Sequence, residues 1–146
     1  MGLSREELCR CVPHAGSMCL LNEVLRWDAE RIYARATNHN DTDHPLRHAD
    51  HLPALCAIEY AAQAMAVHGA LMAQQSGGAP RIGFIGSVRD VRLRVAHLDG
   101  IAAPLEIEAV KQLADDNHSL YELHVSAGGK ELMSGRAAVF LQSGEK

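Results

Sequence analysis

Glu59 stands inside "LPALCAIEYAAQAMAVHGALMAQQ", residues 52–75, a stretch that is otherwise apolar except for Gln63, His68 and the closing Gln74 and Gln75. A carboxylic acid among apolar side chains loses solvation of its charged form, so it can stay protonated near neutral pH and act as a general acid. Just upstream, "NHNDTDHPLRHADH" holds His39, His44, His48 and His51 among Asp41, Asp43 and Asp50. An imidazole titrates near neutrality and suits the complementary role of base. Spacings of five, four and three between these histidines also raise a metal site. Zinc needs ligands held in fixed geometry, and this loop has no periodic pattern to align them. The expectation is no metal, with the loop histidines largely solvated and one of them free to work as a base.

Other chemistry-bearing residues offer less. Cys9-x-Cys11 with His14 and Cys19 fits no common zinc spacing. These three cysteines and Cys56 are read as reduced thiols. His68 reads as a packing residue at the helix edge, and His14, His97, His118 and His124 fall in turns or strands without an evident acid or thiol partner. Ser17 has no arguable base. No nucleophile elbow, phosphate loop or dinucleotide fingerprint is present.

The elements around these residues follow from periodicity. Ser4 and Glu7 form a capping-box pattern that predicts a short helix from about Arg5 to Cys11. "CLLNEVLRWD" reads as a strand or extended segment. "RIYARATN" alternates Ile32, Ala34 and Ala36 against Tyr33, Arg35 and Thr37, the period of a half-buried strand. Pro53 suits the first turn of the long helix. Leu55, Ile58, Ala62, Met65, Gly69 and Met72 form an apolar stripe along it, with Cys56, Glu59, Gln63, Ala66 and Ala70 on a line beside the stripe. Glu59 is then either a partly buried acid or a residue of an exposed helix edge, paired across a subunit contact. Four further alternating segments, "RIGFIGSVRDVRLRVAHL", "LEIEAVKQLA", "LYELHVSA" and "LMSGRAAVFLQ", are separated by short turns. The sum is α+β: residues 1–146 as a single domain, with an antiparallel sheet of about five strands wrapped around one small-sided helix, for which the hotdog arrangement is the natural candidate.

Composition bounds the function. Hydrophobic residues make up 47% and charged residues 22%, which supports a packed core; a net charge of −4 without a basic cluster argues against nucleic acid. The interrupted helix is a poor membrane span, and the N-terminus lacks a signal-peptide pattern, so a cytoplasmic location is expected.

The residues resemble a known family. "LPALCAIEYAAQAM" is similar to the helix start of hotdog-fold 3-hydroxyacyl-ACP dehydratases of fatty acid synthesis, with a carboxylate six residues after a proline and a glutamine four further on: Pro53, Glu59 and Gln63. "VPHAGSMCLLNEVLRWD" resembles their N-terminal segment and first strand, and "GFIGSVRDVRLRVAHLDGIAAPLEIEA" their stretch after the helix. The subgroup most resembled is the small dehydratases of aryl polyene type II polyketide systems. The resemblance implies loss of water from a 3-hydroxyacyl thioester on acyl carrier protein to give a trans-2-enoyl thioester. A histidine base, the helix acid Glu59, and a backbone N–H of Ala54 or Leu55 on the thioester oxygen would share the work. Gln63 would contribute to substrate binding, and the helix face would line an acyl tunnel. No cofactor is implied beyond the carrier's phosphopantetheine.

The base is where the chain departs from the family. The family's histidine opens an HFPG motif eight residues before the helix proline, whereas His44 opens "HPLR" nine residues before Pro53, and Ala54 replaces a glycine. His44 is the expected base of a homodimer or higher homo-oligomer. The alternative is a heterodimer with a second dehydratase subunit, in which this chain supplies only the acid. A hotdog thioesterase, a non-catalytic carrier-binding subunit and a purely structural domain are the remaining readings.

Overall fold

A computed structural model describes residues 2–11, 18–78, 83–115 and 117–141. Helix α1 (Arg5–Cys9) is followed by strands β1 (Glu23–Trp27) and β2 (Arg31–Ala36), helix α2 (Ala57–Gln75), and strands β3 (Gly83–Leu93), β4 (Leu105–Ala114), β5 (His118–Ala127) and β6 (Lys130–Leu141). The strands make one antiparallel sheet in the order β1-β2-β4-β5-β6-β3, with α2 packed across β2, β4 and β5. The sheet has six strands where the sequence suggested about five, and the architecture is the α+β one it implied.

Alternation places the sheet's inner face. Ile32, Ala34 and Ala36 of β2 are buried, as are Leu105, Ile107 and Ala109 of β4. Ala34 pairs with Ile107 and Ala36 with Leu105, so both rows fall on one face of the sheet. At the β5–β6 hairpin, Gly128 and Gly129 have φ of 59° and 79°, which L side chains disfavour at two successive turn positions.

Helix α1 is capped as its sequence signals. Ser4 Oγ accepts the Glu7 N–H, and Glu7 Oε1 accepts the Ser4 N–H at 2.9 Å. The helix ends at Cys9, and there the expectation of four reduced thiols fails. Cys9 is bonded to Cys19, with Cα atoms 5.8 Å apart, within the span a disulfide bridges. The bond takes two of the cysteines from the Cys9, Cys11, Cys19 and His14 grouping, whose spacing fits no common zinc pattern; His14 and Ser17 lie outside the described residues. Cys11 and Cys56 are free thiols.

The burial of α2 differs from the stripe expected. Tyr60, Ala61, Ala64, Val67 and His68 are fully buried, whereas Leu55 is 58% exposed. Gly69 is exposed, and Ile58 and Ala62 are only partly covered. Met65 of the stripe is buried in the core, so the stripe straddles the boundary: Leu55, Ile58, Ala62 and Gly69 border the outer face of α2, where Glu59 sits. The core side is chosen by Tyr60, Val67, His68 and Leu71, the larger side chains opposite.

Candidate active site

Before α2 the chain makes a single 3-10 turn, Ala54–Cys56, entered from Pro53 at φ −59°. Proline fixes that angle, and its missing N–H costs nothing at a helix start. The turn is stitched to the segment before β4. The Ala54 N–H donates to Ala96 O at 3.0 Å, and the Leu98 N–H donates to Leu52 O at 2.8 Å. The Cys56 N–H is taken by Pro53 O. Among the described residues the Leu55 N–H has no hydrogen-bond partner. Of the two donors the resemblance offered for a thioester oxygen, Ala54 is occupied and Leu55 is available.

Glu59 lies one turn further on and is exposed. Partial burial was one of two expectations for it, and within this chain the exposed one holds. The reason is the rotation of α2 just described, which puts Tyr60 rather than Glu59 into the core. Glu59 is close enough to Cys56 for its charge to raise the thiol's pKa, after the larger effect of burial.

His44 is 5% exposed, not solvated. Its Nδ1 accepts the Leu46 N–H at 3.1 Å, and its Nε2 lies 2.8 Å from the hydroxyl of Tyr60. Because a backbone N–H only donates, Nδ1 carries the lone pair and Nε2 the proton. The Nε2–H therefore donates to Tyr60 Oη, which itself donates to Asn38 Oδ1 at 2.6 Å. The ring's one lone pair is spent on a main-chain N–H. Burial pushes the His44 pKa down from the ordinary histidine value, against a smaller upward pull from Asp41. A cleft of about 240 Å³ beside it is lined by Arg5, Asn38, Asp41, Asp43, His44 and Pro45 among others, and contains no residue of α2.

Gln63 is 4% exposed and its amide is engaged with main chain at both ends. Oε1 accepts the Leu20 N–H at 2.7 Å, and Nε2 donates to Met18 O at 2.6 Å. It ties α2 to the segment leading into β1. Among the described residues, both contacts of this amide run to the segment before β1 and neither to Glu59.

The remaining histidines divide. His39, expected in solvent, is 2% exposed; its Nε2 donates to Ile101 O at 2.8 Å and its Nδ1 has no partner. His68 is fully buried between Tyr121 Oη at 2.7 Å and Asp28 O at 2.8 Å. His118 and His124, read without acid partners, contact Asp115 and Glu131, each at 3.1 Å. The four loop histidines do not assemble. His51 instead joins His97 and Asp99 from the β3–β4 connection. The Tyr60 and Asn38 partners of His44 were not singled out from sequence. Tyr60, next to the candidate acid in a small-sided helix, was the available signal.

The six-stranded antiparallel sheet packed on one long helix defines a hotdog protein. A family model described as ApeP dehydratase, ApeP-like, matches residues 6–145, and the chain belongs to that family of dehydratases. A dehydratase heterocomplex, ApeI:P from Xenorhabdus doucetiae, is 26% identical over 94% of this chain and 91% of that one, with a TM-score of 0.84. A mutant of thioesterase PA1618 from Pseudomonas aeruginosa shares the fold at 13% identity and TM-score 0.65, covering 94% of this chain and 93% of that one. A hypothetical thioesterase with coenzyme A from Streptococcus pneumoniae does so at 9% identity and TM-score 0.59, covering 84% and 87%. No curated protein sequence matches. No helix among the described residues is long and apolar enough to cross a membrane.

Proposed function

We propose that this chain supplies the acid, and not the base, for dehydration of a 3-hydroxyacyl thioester carried on acyl carrier protein in the cytoplasm. The base comes from the histidine of a second hotdog subunit. That histidine takes the proton next to the thioester, and the electron pair moves to form an enolate. The developing oxygen charge accepts the Leu55 N–H, at a helix end whose dipole favours negative charge. As the enolate collapses to a trans-2-enoyl thioester, the C3–O bond breaks and Glu59 gives its proton to the leaving hydroxyl, releasing water.

The observation that carries this reading is the contrast between the two candidate residues. His44 is buried with its lone pair occupied, whereas Glu59 is on an open face ringed by Leu55, Ile58 and Ala62. A partner covering that face would desolvate Glu59 and favour its protonated form. It would also supply the second wall of an acyl channel along α2. The membership of a similar chain in a dehydratase heterocomplex supports the same arrangement. Aryl polyene synthesis is the pathway this likeness favours.

The test is to assay 3-hydroxyacyl carrier protein by mass with the chain alone and with a second hotdog dehydratase subunit from the same organism. Loss of one water only in the mixture is expected. Dehydration by the chain alone, abolished by His44→Gln, would overturn the division of labour. Release of free acid and free carrier thiol would instead identify a thioesterase.

A further inference from the structure

Two stretches of backbone meet ahead of α2. Residues 51–54 and 96–99 run antiparallel, held by the Ala54–Ala96 and Leu98–Leu52 hydrogen bonds and by a bridge between Pro53 and His97. Asp99 adds a third tie, its Oδ1 accepting the Leu52 N–H at 2.8 Å. His51 and His97 project from this ladder side by side, with ring centroids 4.1 Å apart and planes 18° from parallel. The other oxygen of Asp99 lies 3.1 Å from His51 Nδ1. One ligand atom from each of the three residues lies within 4.8 Å of the other two.

From this geometry we infer a divalent transition-metal site of the zinc class, formed by His51, His97 and Asp99. Two imidazoles and one carboxylate are borderline-to-hard donors that suit such an ion. The three residues leave a fourth tetrahedral position open to water or an anion. The ladder fixes the backbones, so binding requires only side-chain rotation. A metal lies in the plane of each imidazole it binds, so the stacked rings splay apart on loading. Both histidines are exposed and have room to do so. Asp99 keeps Oδ1 on the Leu52 N–H and turns Oδ2 to the ion, which holds the carboxylate in one orientation. A turn-stabilising role accounts for Asp99 and for its contact with His51. It gives no reason for a second imidazole stacked on the first. The inference stands apart from the dehydratase reading, and no reaction step is assigned to the ion.

Zn2+ titrated calorimetrically into tag-free chain is expected to bind one equivalent with a dissociation constant on the order of micromolar or tighter. His97→Ala and Asp99→Asn are expected to weaken binding about tenfold or more, while the metal-free melting temperature reports whether each variant is folded. Removing the free thiols by Cys11→Ser with Cys56→Ser is expected to leave binding unchanged. A measurement on the unaltered chain needs no variant: Ni2+ is expected to broaden the His51 and His97 ring proton resonances before those of His48, His118 and His124. Absence of binding, binding undiminished in folded His97→Ala, or broadening that begins at other histidines would each overturn the site.

Discussion

His44 Nε2 and Tyr60 Oη lie 2.8 Å apart, and Nε2 is the donor of the pair because the Leu46 N–H occupies Nδ1. With the Leu46 N–H on Nδ1, the ring is a neutral link in a chain that ends on Asn38. That chain holds the loop before α2 against the helix. It also sets His44 next in space to a tyrosine that is next in sequence to the candidate acid.

Removing the Tyr60 hydroxyl should expose the cost of that link. Tyr60→Phe leaves the His44 N–H and the Asn38 oxygen without their partner. A loss of about 1–3 kcal/mol in unfolding free energy is expected, read by urea denaturation. Turnover of the assembled enzyme should fall far less than it does on loss of Glu59. An unchanged midpoint would show that the chain of hydrogen bonds contributes nothing to stability.

Acid should destabilise the chain well above the carboxylate range. Burial lowers the pKa of both His44 and His68 in the folded protein. Below about pH 6.5 the unfolded chain takes up protons at these two histidines that the folded chain refuses. Stability is therefore full above that pH and is lost as pH falls toward the depressed folded values. Melting temperature should be flat from about pH 8 to 7 and drop as pH falls below about 6.5. A rise on acidification through that window would contradict the burial of neutral imidazoles.

Gln63→Leu replaces the amide with an apolar side chain and strands the Leu20 N–H and the Met18 carbonyl. A cost of about 1–3 kcal/mol for each unpaired group is expected in thermal or urea unfolding. Hydrogen exchange at the Leu20 amide should accelerate with it. If stability is unaffected and substrate affinity falls instead, Gln63 contacts substrate rather than bracing the fold.

Gly69 tests the outer face of α2. A Cβ there meets nothing within 4 Å, and helical glycine is replaced at a gain in propensity. Gly69→Glu should keep or raise the melting temperature of the isolated chain while weakening association with a second hotdog subunit, measured by light scattering after gel filtration. Undiminished association would place the interface elsewhere.

Much of this fold is legible in the sequence because a half-buried strand writes its burial as strict alternation. Ile32, Ala34 and Ala36, and Leu105, Ile107 and Ala109, are buried as their spacing indicates. The orientation of α2 was not legible. Alanines lie all around it, so the spacing of Leu55, Ile58 and Met72 marks an apolar stripe that does not coincide with the buried side. The side that is buried carries Tyr60, Gln63 and His68, whose polar ends are satisfied by residues distant in sequence. The burial of His39 and His44 was hidden for the same reason, since Ile101 and Tyr60 complete their hydrogen bonds only after folding. Glu59 is legible as a carboxylate inside an apolar stretch; it is exposed and, among the described residues, forms no hydrogen bond or ion pair.

The most direct test of the division between acid and base compares Glu59→Gln with His44→Gln in the assembled dehydratase, reading turnover and melting temperature together. Glu59→Gln should lower turnover by about 100-fold or more, with stability unchanged. His44→Gln should lower the melting temperature and leave turnover of the folded fraction within a few-fold of the parent. Loss of turnover in His44→Gln at an unchanged melting temperature, with Glu59→Gln still active, would contradict it.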